Sequence, residues 1–376
     1  MRSSGQARRG KGRMGTWSVA LAVAVAAGAV IASAALASGP AKGGYGTSVG
    51  RYTQHNLVSD QAGKADLRDP DLVNAWGLAF GPTTPGWVAD AETGVSTLYS
   101  GDVKGTPVTK IPLTVSIPGG SPTGTVYNPT KSFVVKSGGK SGPANFMFAS
   151  EAGKIAAWSQ DVPPLTKAQK VASVKGAIFK GLAIADSSKG PRIYATDFHK
   201  GKVDVWDGKF SRIHKRGAFR DPKLPDRFAP FGIEEVNGDI VVTYAKQDRK
   251  AEDDVPGRGD GFVDIYSKGG KLLDRFASRG PLNAPWGIAK APKGFGGASG
   301  DLLIGNFGDG WINAFKPKSG KFVGSFQDAQ GRKLAIDGLW ALKFGNGMIG
   351  TRKTLLFTAG PEDESHGLFG DLTPSM

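Results

Sequence analysis

The chain has 376 residues and carries 48 Lys+Arg against 33 Asp+Glu, a formal net charge of +15. That length supports a large core without staples, and the absence of cysteine excludes disulfides, thiolate catalysis and Cys-based zinc sites. Recurrent Val, Ile and Phe with eight Trp exclude a low-complexity coil, while 56 glycines predict many tight turns joining short strands.

Arg2, Arg8, Arg9, Lys11 and Arg13 form a basic start without acids. Residues 17–37 follow as an Ala-, Val- and Leu-rich apolar stretch ending in Ala35-Leu36-Ala37. A positive start, an apolar run and a small-x-small triplet describe a secretory signal peptide. Residues 1–37 are therefore expected to be removed, and the protein to be secreted, extracellular or periplasmic in a bacterium. An uncleaved membrane anchor is the alternative, since about 20 apolar residues can span a bilayer; cleavage would leave no membrane span. The remaining Lys and Arg stand singly among turns, with no basic patch interleaved with aromatics, so no nucleic-acid partner is expected. Residues 38–50, rich in Gly, Ala and Ser, read as a flexible lead. Residues 51–376 read as one folded domain, expected to be a monomer.

One unit recurs along that domain: an apolar run, a small or polar residue, a turn, then Gly-x-apolar-x-x-aromatic. Trp87-Val88-Ala89-Asp90 leads to Gly94 and Tyr99, and Phe146-Met147-Phe148-Ala149-Ser150 to Gly153 and Trp158. Ile193-Tyr194-Ala195-Thr196-Asp197 leads to Gly201 and Trp206, and Val241-Val242-Thr243-Tyr244 to Gly261 and Tyr266. Leu302-Leu303-Ile304-Gly305-Asn306 leads to Gly310 and Phe315, and Leu355-Leu356-Phe357-Thr358-Ala359 to Gly367 and Phe369. The glycines recur about every 55 residues, a propeller-blade period, and each is expected to supply the positive φ of a tight hairpin. A further strand precedes each hairpin, as in Ala75-Trp76-Gly77, Phe231-Gly232-Ile233 and Trp286-Gly287-Ile288, with small residues where strands would crowd an axis. Fourth strands follow Gly-Lys-apolar turns at Gly208, Gly270 and Gly320. Four antiparallel strands in each of six units predict an all-β, six-bladed β-propeller. Residues 164–171 are the one short helix candidate. The last unit lacks a fourth strand, so the strand-like run at 52–58 is expected to pair with it and close the ring. A frayed N-terminal tail is the alternative.

In such a ring, residues before inner strands and after second strands converge on one mouth of the channel. Asn74, Asn283 and Asp337 stand in the first position. Asp90, Glu92, Glu151, Asp197, His199, Asn306, Asp309, Glu362, Asp363, Glu364 and His366 stand in the second. Asn74, Asp90, Asp197, Asn283, Asn306, Asp337 and His366, with Trp76 and Trp286, are the expected ligand-binding set. Asn74, Asn283, Asn306 and Asp337 offer the oxygens that a hard divalent cation such as Ca²⁺ takes. The competing reading is turn-capping, because Asp and Asn after a strand bond backbone amides of their own turn. Trp76, Trp286 and Trp340 read either as packing core or as a sugar-stacking platform. Two acid-bearing insertions, 246–260 and 360–366, fall on the same face. No histidine pair has metal-ligand spacing, and no nucleophile elbow or phosphate loop stands in a supporting context.

Asn74-Ala75-Trp76-Gly77, Ser278-Arg279-Gly280-Pro281-Leu282-Asn283-Ala284-Pro285-Trp286-Gly287, Gly305-Asn306-Phe307-Gly308-Asp309-Gly310 and Asp337-Gly338-Leu339-Trp340 resemble a family of exported bacterial proteins of uncharacterised function. The resemblance runs from Asn56 to Gly370. It implies an exported propeller and carries over no catalytic residue. The repeat is also similar to NHL-type propellers and, more distantly, to lactonase-type six-bladed enzymes, which hold a divalent cation at the channel mouth.

The leading expectation is a secreted propeller that binds a small molecule, polysaccharide or protein at its polar mouth, with a structural cation as a further element. The alternative is a metal-dependent hydrolase of the lactonase type, its cation polarising a carbonyl and a mouth carboxylate acting as base. A third reading is a scaffold that engages anionic polymer through its basic charge.

Overall fold

The structure, a computed structural model, describes residues 47–375. The expected signal peptide and most of the expected lead lie outside the described residues. The end of that lead does not match: residues 48–50 open a twelve-residue strand, Ser48–Ser59.

Among the described residues the chain is all-β, apart from the single 3-10 turn Gly296–Ala298. Alternating apolar and small residues, punctuated by glycine turns, give antiparallel runs of four strands. Pro122–Tyr127, Phe146–Ser150, Lys154–Trp158 and Gln169–Ser173 form one such sheet. Phe179–Ser187, Gly190–Asp197, Lys202–Asp207 and Arg212–Ile213 form the next, and Phe228–Val236, Asp239–Lys246, Gly261–Tyr266 and Leu272–Ser278 a third. Ala75–Ala79, Gly86–Asp90, Val95–Ser100 and Thr109–Lys110 carry a fifth strand, Val115–Ser116, on the same partner.

Apart from one separate two-stranded sheet, the remaining strands join into one nine-stranded sheet through Ser48–Ser59. The later part of that strand pairs antiparallel with Leu368–Pro374, from Tyr52↔Pro374 to Ser59↔Leu368, which is the partner expected for 52–58. Its start pairs in parallel with Phe322–Gln327, a bridge the repeat pattern does not contain.

The first strands of the runs follow one another in a circuit. Ala75–Ala79 packs on Pro122–Tyr127, that strand on Phe179–Ser187, and the series continues through Phe228–Val236, Pro285–Lys290 and Leu339–Phe344 back to Ala75–Ala79. Small residues are needed there: a Cβ on Gly232 would lie 2.1 Å from the Trp286 carbonyl oxygen, and one on Gly77 2.4 Å from that of Thr123. Between the sheets, aromatics from strand ends fill the core. Trp87 stacks on Phe146 at 4.3 Å and lies 4.7 Å from Trp158.

Three sequence expectations need correction. Residues 164–171 are not helical; the run is too short to sustain a helix alone, and its backbone enters the strand Gln169–Ser173, which pairs with Lys154–Trp158. A hairpin, Val134–Ser137 with Lys140–Pro143, which the repeat unit does not contain, is inserted between Pro122–Tyr127 and Phe146–Ser150. Gly94, Gly153, Gly201 and Gly310 have the positive φ of a tight turn, but Gly261 and Gly367 do not, because the long insertions before them replace the hairpin.

Candidate binding site

Each first strand presents the residue before its glycine, or before Ala341, at one end of the circuit. These are Trp76, Thr123, Lys180, Phe231, Trp286 and Trp340. Three of them build an aromatic stack. Phe307 lies on Trp340 at 4.1 Å, Trp340 on Trp76 at 3.5 Å, and the Lys180 ammonium sits 5.2 Å from the centre of the Trp76 ring. Trp286 meets Trp76 and Trp340 edge-on at 6.1 and 5.8 Å. Both faces of Trp76 and of Trp340 are thus covered, so the sugar-stacking reading gives way to packing for these two rings. The Trp76 and Trp286 indole N–H groups are buried without a hydrogen-bond partner.

Lys180 is 3 % exposed, and the two insertions close over it. Its ammonium hydrogen-bonds Glu151 and, at 3.2 Å, Asp253 from residues 246–260. Burial pulls that ammonium down, but Glu151 and Asp253 outweigh it and hold it above its ordinary value. Burial pushes the Asp254 carboxyl up to about 7, against the pull of Lys180, and Asp254 Oδ2 has no hydrogen-bond partner. Burial also raises Glu364, against a 2.6 Å hydrogen bond from Asn74 Nδ2. Glu362, Asp363 and Glu364 all have positive φ, a conformation that costs non-glycine residues about 1–2 kcal/mol each. This left-handed turn is what brings Glu364 onto Asn74. Below the aromatic layer the channel narrows to a void of about 30 Å³ between Leu78, Leu182, Ile233, Ile288 and Leu342, room for a water molecule or two. At the far end Lys343 pairs with Glu234 at 3.6 Å.

The expected site residues divide among separate networks. Asn74, in the left-handed region at φ 50, gives Oδ1 to the Trp340 indole at 3.1 Å. Asn283 takes the Gly257 N–H at 2.7 Å and donates to Asp309 at 3.1 Å. Asn306 donates to Asp309 at 3.0 Å and to the Pro281 carbonyl at 2.8 Å. Asp337 accepts the Glu362 N–H at 2.9 Å. The four expected cation ligands therefore do not form one set, because three of their oxygens already answer protein donors. Asp90 accepts both the N–H and the hydroxyl of Thr97, in the following strand, at 2.9 Å, and Asp197 caps its own turn by accepting the Lys200 N–H at 3.1 Å; both are fully buried. His366 contacts Asp60 at 2.7 Å, and the neighbouring Gly367 N–H donates to the same carboxylate, which ties the 360–366 insertion to the residue after Ser59.

Sequence reasoning missed Lys180, although it precedes Gly181 as Trp76 precedes Gly77. It also missed the threonines that stitch the circuit. Thr196 Oγ1 accepts the Gly181 N–H at 2.7 Å and donates to the Phe231 carbonyl at 2.7 Å. Thr358 does the same between Ala341 N–H and the Trp76 carbonyl. Basic residues that stand apart in sequence also gather in space: Arg192, Lys202, Arg212, His214, Lys215, Arg216 and Lys268 line a cleft of about 420 Å³.

No family model matches the chain. It is 32% identical over 327 residues to the uncharacterized protein R648 of Acanthamoeba polyphaga mimivirus, covering 84% of this chain and 78% of that protein. The chain belongs to the family of this viral protein. Uncharacterized protein L690 of the same virus is 29% identical over 342 residues, covering 86% of each. Neither family relative's name states an activity. Among solved structures, the soluble aldose sugar dehydrogenase of Escherichia coli matches with a TM-score of 0.51 and 14% identity, over 86% of this chain and 100% of that one. At that identity the likeness speaks for a propeller-like fold alone.

Proposed function

We propose that the protein is a six-bladed propeller whose mouth binds a small ligand carrying a positively charged amine. The nine-stranded sheet is read as two blades bridged by the start of Ser48–Ser59, and the circuit of inner strands supports the count of six. The observation that carries the ligand class is Lys180. The mouth already holds one ammonium group between Glu151, Asp253 and the Trp76 face, and Asp254 and Glu364 stand beside it without a cation of their own. Carboxylates without a cation of their own are the chemistry that recognises an amine. The strained turn at Glu362–Glu364 supports a functional role for this rim. A hydrolase of the lactonase type needs an assembled cation set, and the commitment of three candidate oxygens to protein donors favours binding instead.

Titration calorimetry with choline and with cadaverine tests the reading. Saturable binding of either is expected, weakened about tenfold or more in Asp254→Asn and not matched by uncharged glucose. Glucose binding as well as the amines, or amine binding indifferent to Asp254→Asn, would contradict it. Export is part of the proposal and rests on residues 1–37. The titrations are therefore run on the exported product, whose intact mass should begin at Ser38.

The basic cleft favours a second reading, engagement of anionic polymer away from the mouth. Retention on dextran sulfate should fall with salt and drop in a Lys215→Ala, Arg216→Ala double variant; unchanged retention would remove it.

A further inference from the structure

His55 and Asp371 stand opposite each other across the antiparallel pair of Ser48–Ser59 with Leu368–Pro374. Asp102 reaches the same point from the turn after Val95–Ser100. That turn is anchored to the last sheet's loop by Gly101 N–H to the Met348 carbonyl at 2.8 Å and by Gly350 N–H back to the Gly101 carbonyl at 3.0 Å. One ligand atom from each of His55, Asp102 and Asp371 lies within 4.8 Å of the others. The group therefore joins the first residues of the domain, its last strand and its first sheet, far from the mouth.

Three features of this cluster call for a positive charge at its centre. Asp371 is 4 % exposed, and its Oδ2 is buried without a hydrogen bond. Asp102 Oδ2 is likewise buried and without a hydrogen bond. His55 Nε2 lies 2.9 Å from Asp66 Oδ2, and in the neutral imidazole whose proton faces Asp66, Nδ1 is the free nitrogen. Nδ1 then turns its lone pair toward Asp371 Oδ2 at 3.2 Å. Lone pairs facing each other at that distance need a positive charge between them, a proton on Nδ1 or a metal ion.

We propose that His55, Asp102 and Asp371 bind one divalent transition-series cation, Zn²⁺ or Mn²⁺, which clasps the seam where the two ends of the domain meet. One imidazole and two carboxylates suit these ions. Nδ1 of the half-exposed His55 and Asp371 Oδ2 already stand 3.2 Å apart, close to the separation of two donors that share an ion at about 2.1 Å. Asp66 orients the imidazole from behind, the partner a metal-bound histidine ordinarily has. A fourth position remains for water.

The test uses the full chain without a polyhistidine tag, stripped with chelator, dialysed, and titrated with ZnCl₂ or MnCl₂ alone. One ion per chain is expected, with a rise in Tm of about 5 °C at a hundredfold excess over Kd. His55→Gln and Asp102→Asn should each weaken binding about 100-fold, and Asp66→Asn about tenfold. Asp102→Asn removes one of two repelling charges, so its metal-free Tm should not fall, which separates lost binding from lost folding. No saturable binding of either ion below about 1 mM would overturn the clasp. So would an affinity unchanged in both His55→Gln and Asp102→Asn, which would place the ion elsewhere.

Discussion

Asp254, Asp264 and Asp371 are each raised by burial to about 7. Their folded values lie above the unfolded one, so the native state holds protons that the unfolded chain releases between about pH 4 and 7. The corresponding stability is complete below the unfolded value and is lost as pH rises through 7. Metal-free protein should therefore be more stable at pH 5 than at pH 8, by on the order of 1–3 kcal/mol, measured by urea unfolding at each pH. Asp254→Asn and Asp264→Asn should flatten the profile; a stability that climbs between pH 5 and 8 would contradict the assignment. At this scale the sequence was only partly legible. Asn74, Asn283 and Asn306 were recognisable as polar residues beside inner strands, but which donor each oxygen answers depends on loops far away in sequence. Asn283 Oδ1, for example, takes its hydrogen bond from Gly257. Lys180 was hidden because lysine in a strand reads as exposed, and burial follows only from where 246–260 folds.

Among the elements, the inner strands depend on the threonines beside them. Thr358 is fully buried and satisfies both the Ala341 N–H and the Trp76 carbonyl. Thr358→Val keeps the shape but leaves the amide without a partner, at a cost of about 1–3 kcal/mol. Denaturant unfolding reads this directly, and a neutral outcome would show that the stitch contributes nothing net. The strands themselves were legible because the period-two pattern and the glycine turns recur. Where they misled, a local cause is visible. Residues 164–171 pair as an edge, and Gly261 and Gly367 lose the turn geometry once an insertion precedes them. The parallel bridge from Ser48–Ser59 to Phe322–Gln327 had no signal, since Thr47 and Ser48 meet Gly324 only after the ends have come together; a Cβ on Gly324 would lie 2.5 Å from the Thr47 carbonyl oxygen.

For the whole molecule, the arrangement sets a nearly filled channel against a rim made from two insertions. Six first strands in circuit leave a void of about 30 Å³, so the proposed ligand would have to be held at the rim. Glu151 and Asp253 of the 246–260 insertion hold Lys180, and Glu364 of 360–366 is anchored on Asn74. The seam that joins the chain's ends lies elsewhere, at His55 and Asp371. Rim and seam are thus separable, and amine binding should persist when the seam is altered. Hydrogen exchange of the protein with and without cadaverine tests the central claim most directly. Slower amide exchange is expected in the presence of the amine, confined to 246–260 and 360–366 and lost in Asp254→Asn. Protection spread evenly over the sheets, or located at the basic cleft with none at the two insertions, would contradict it.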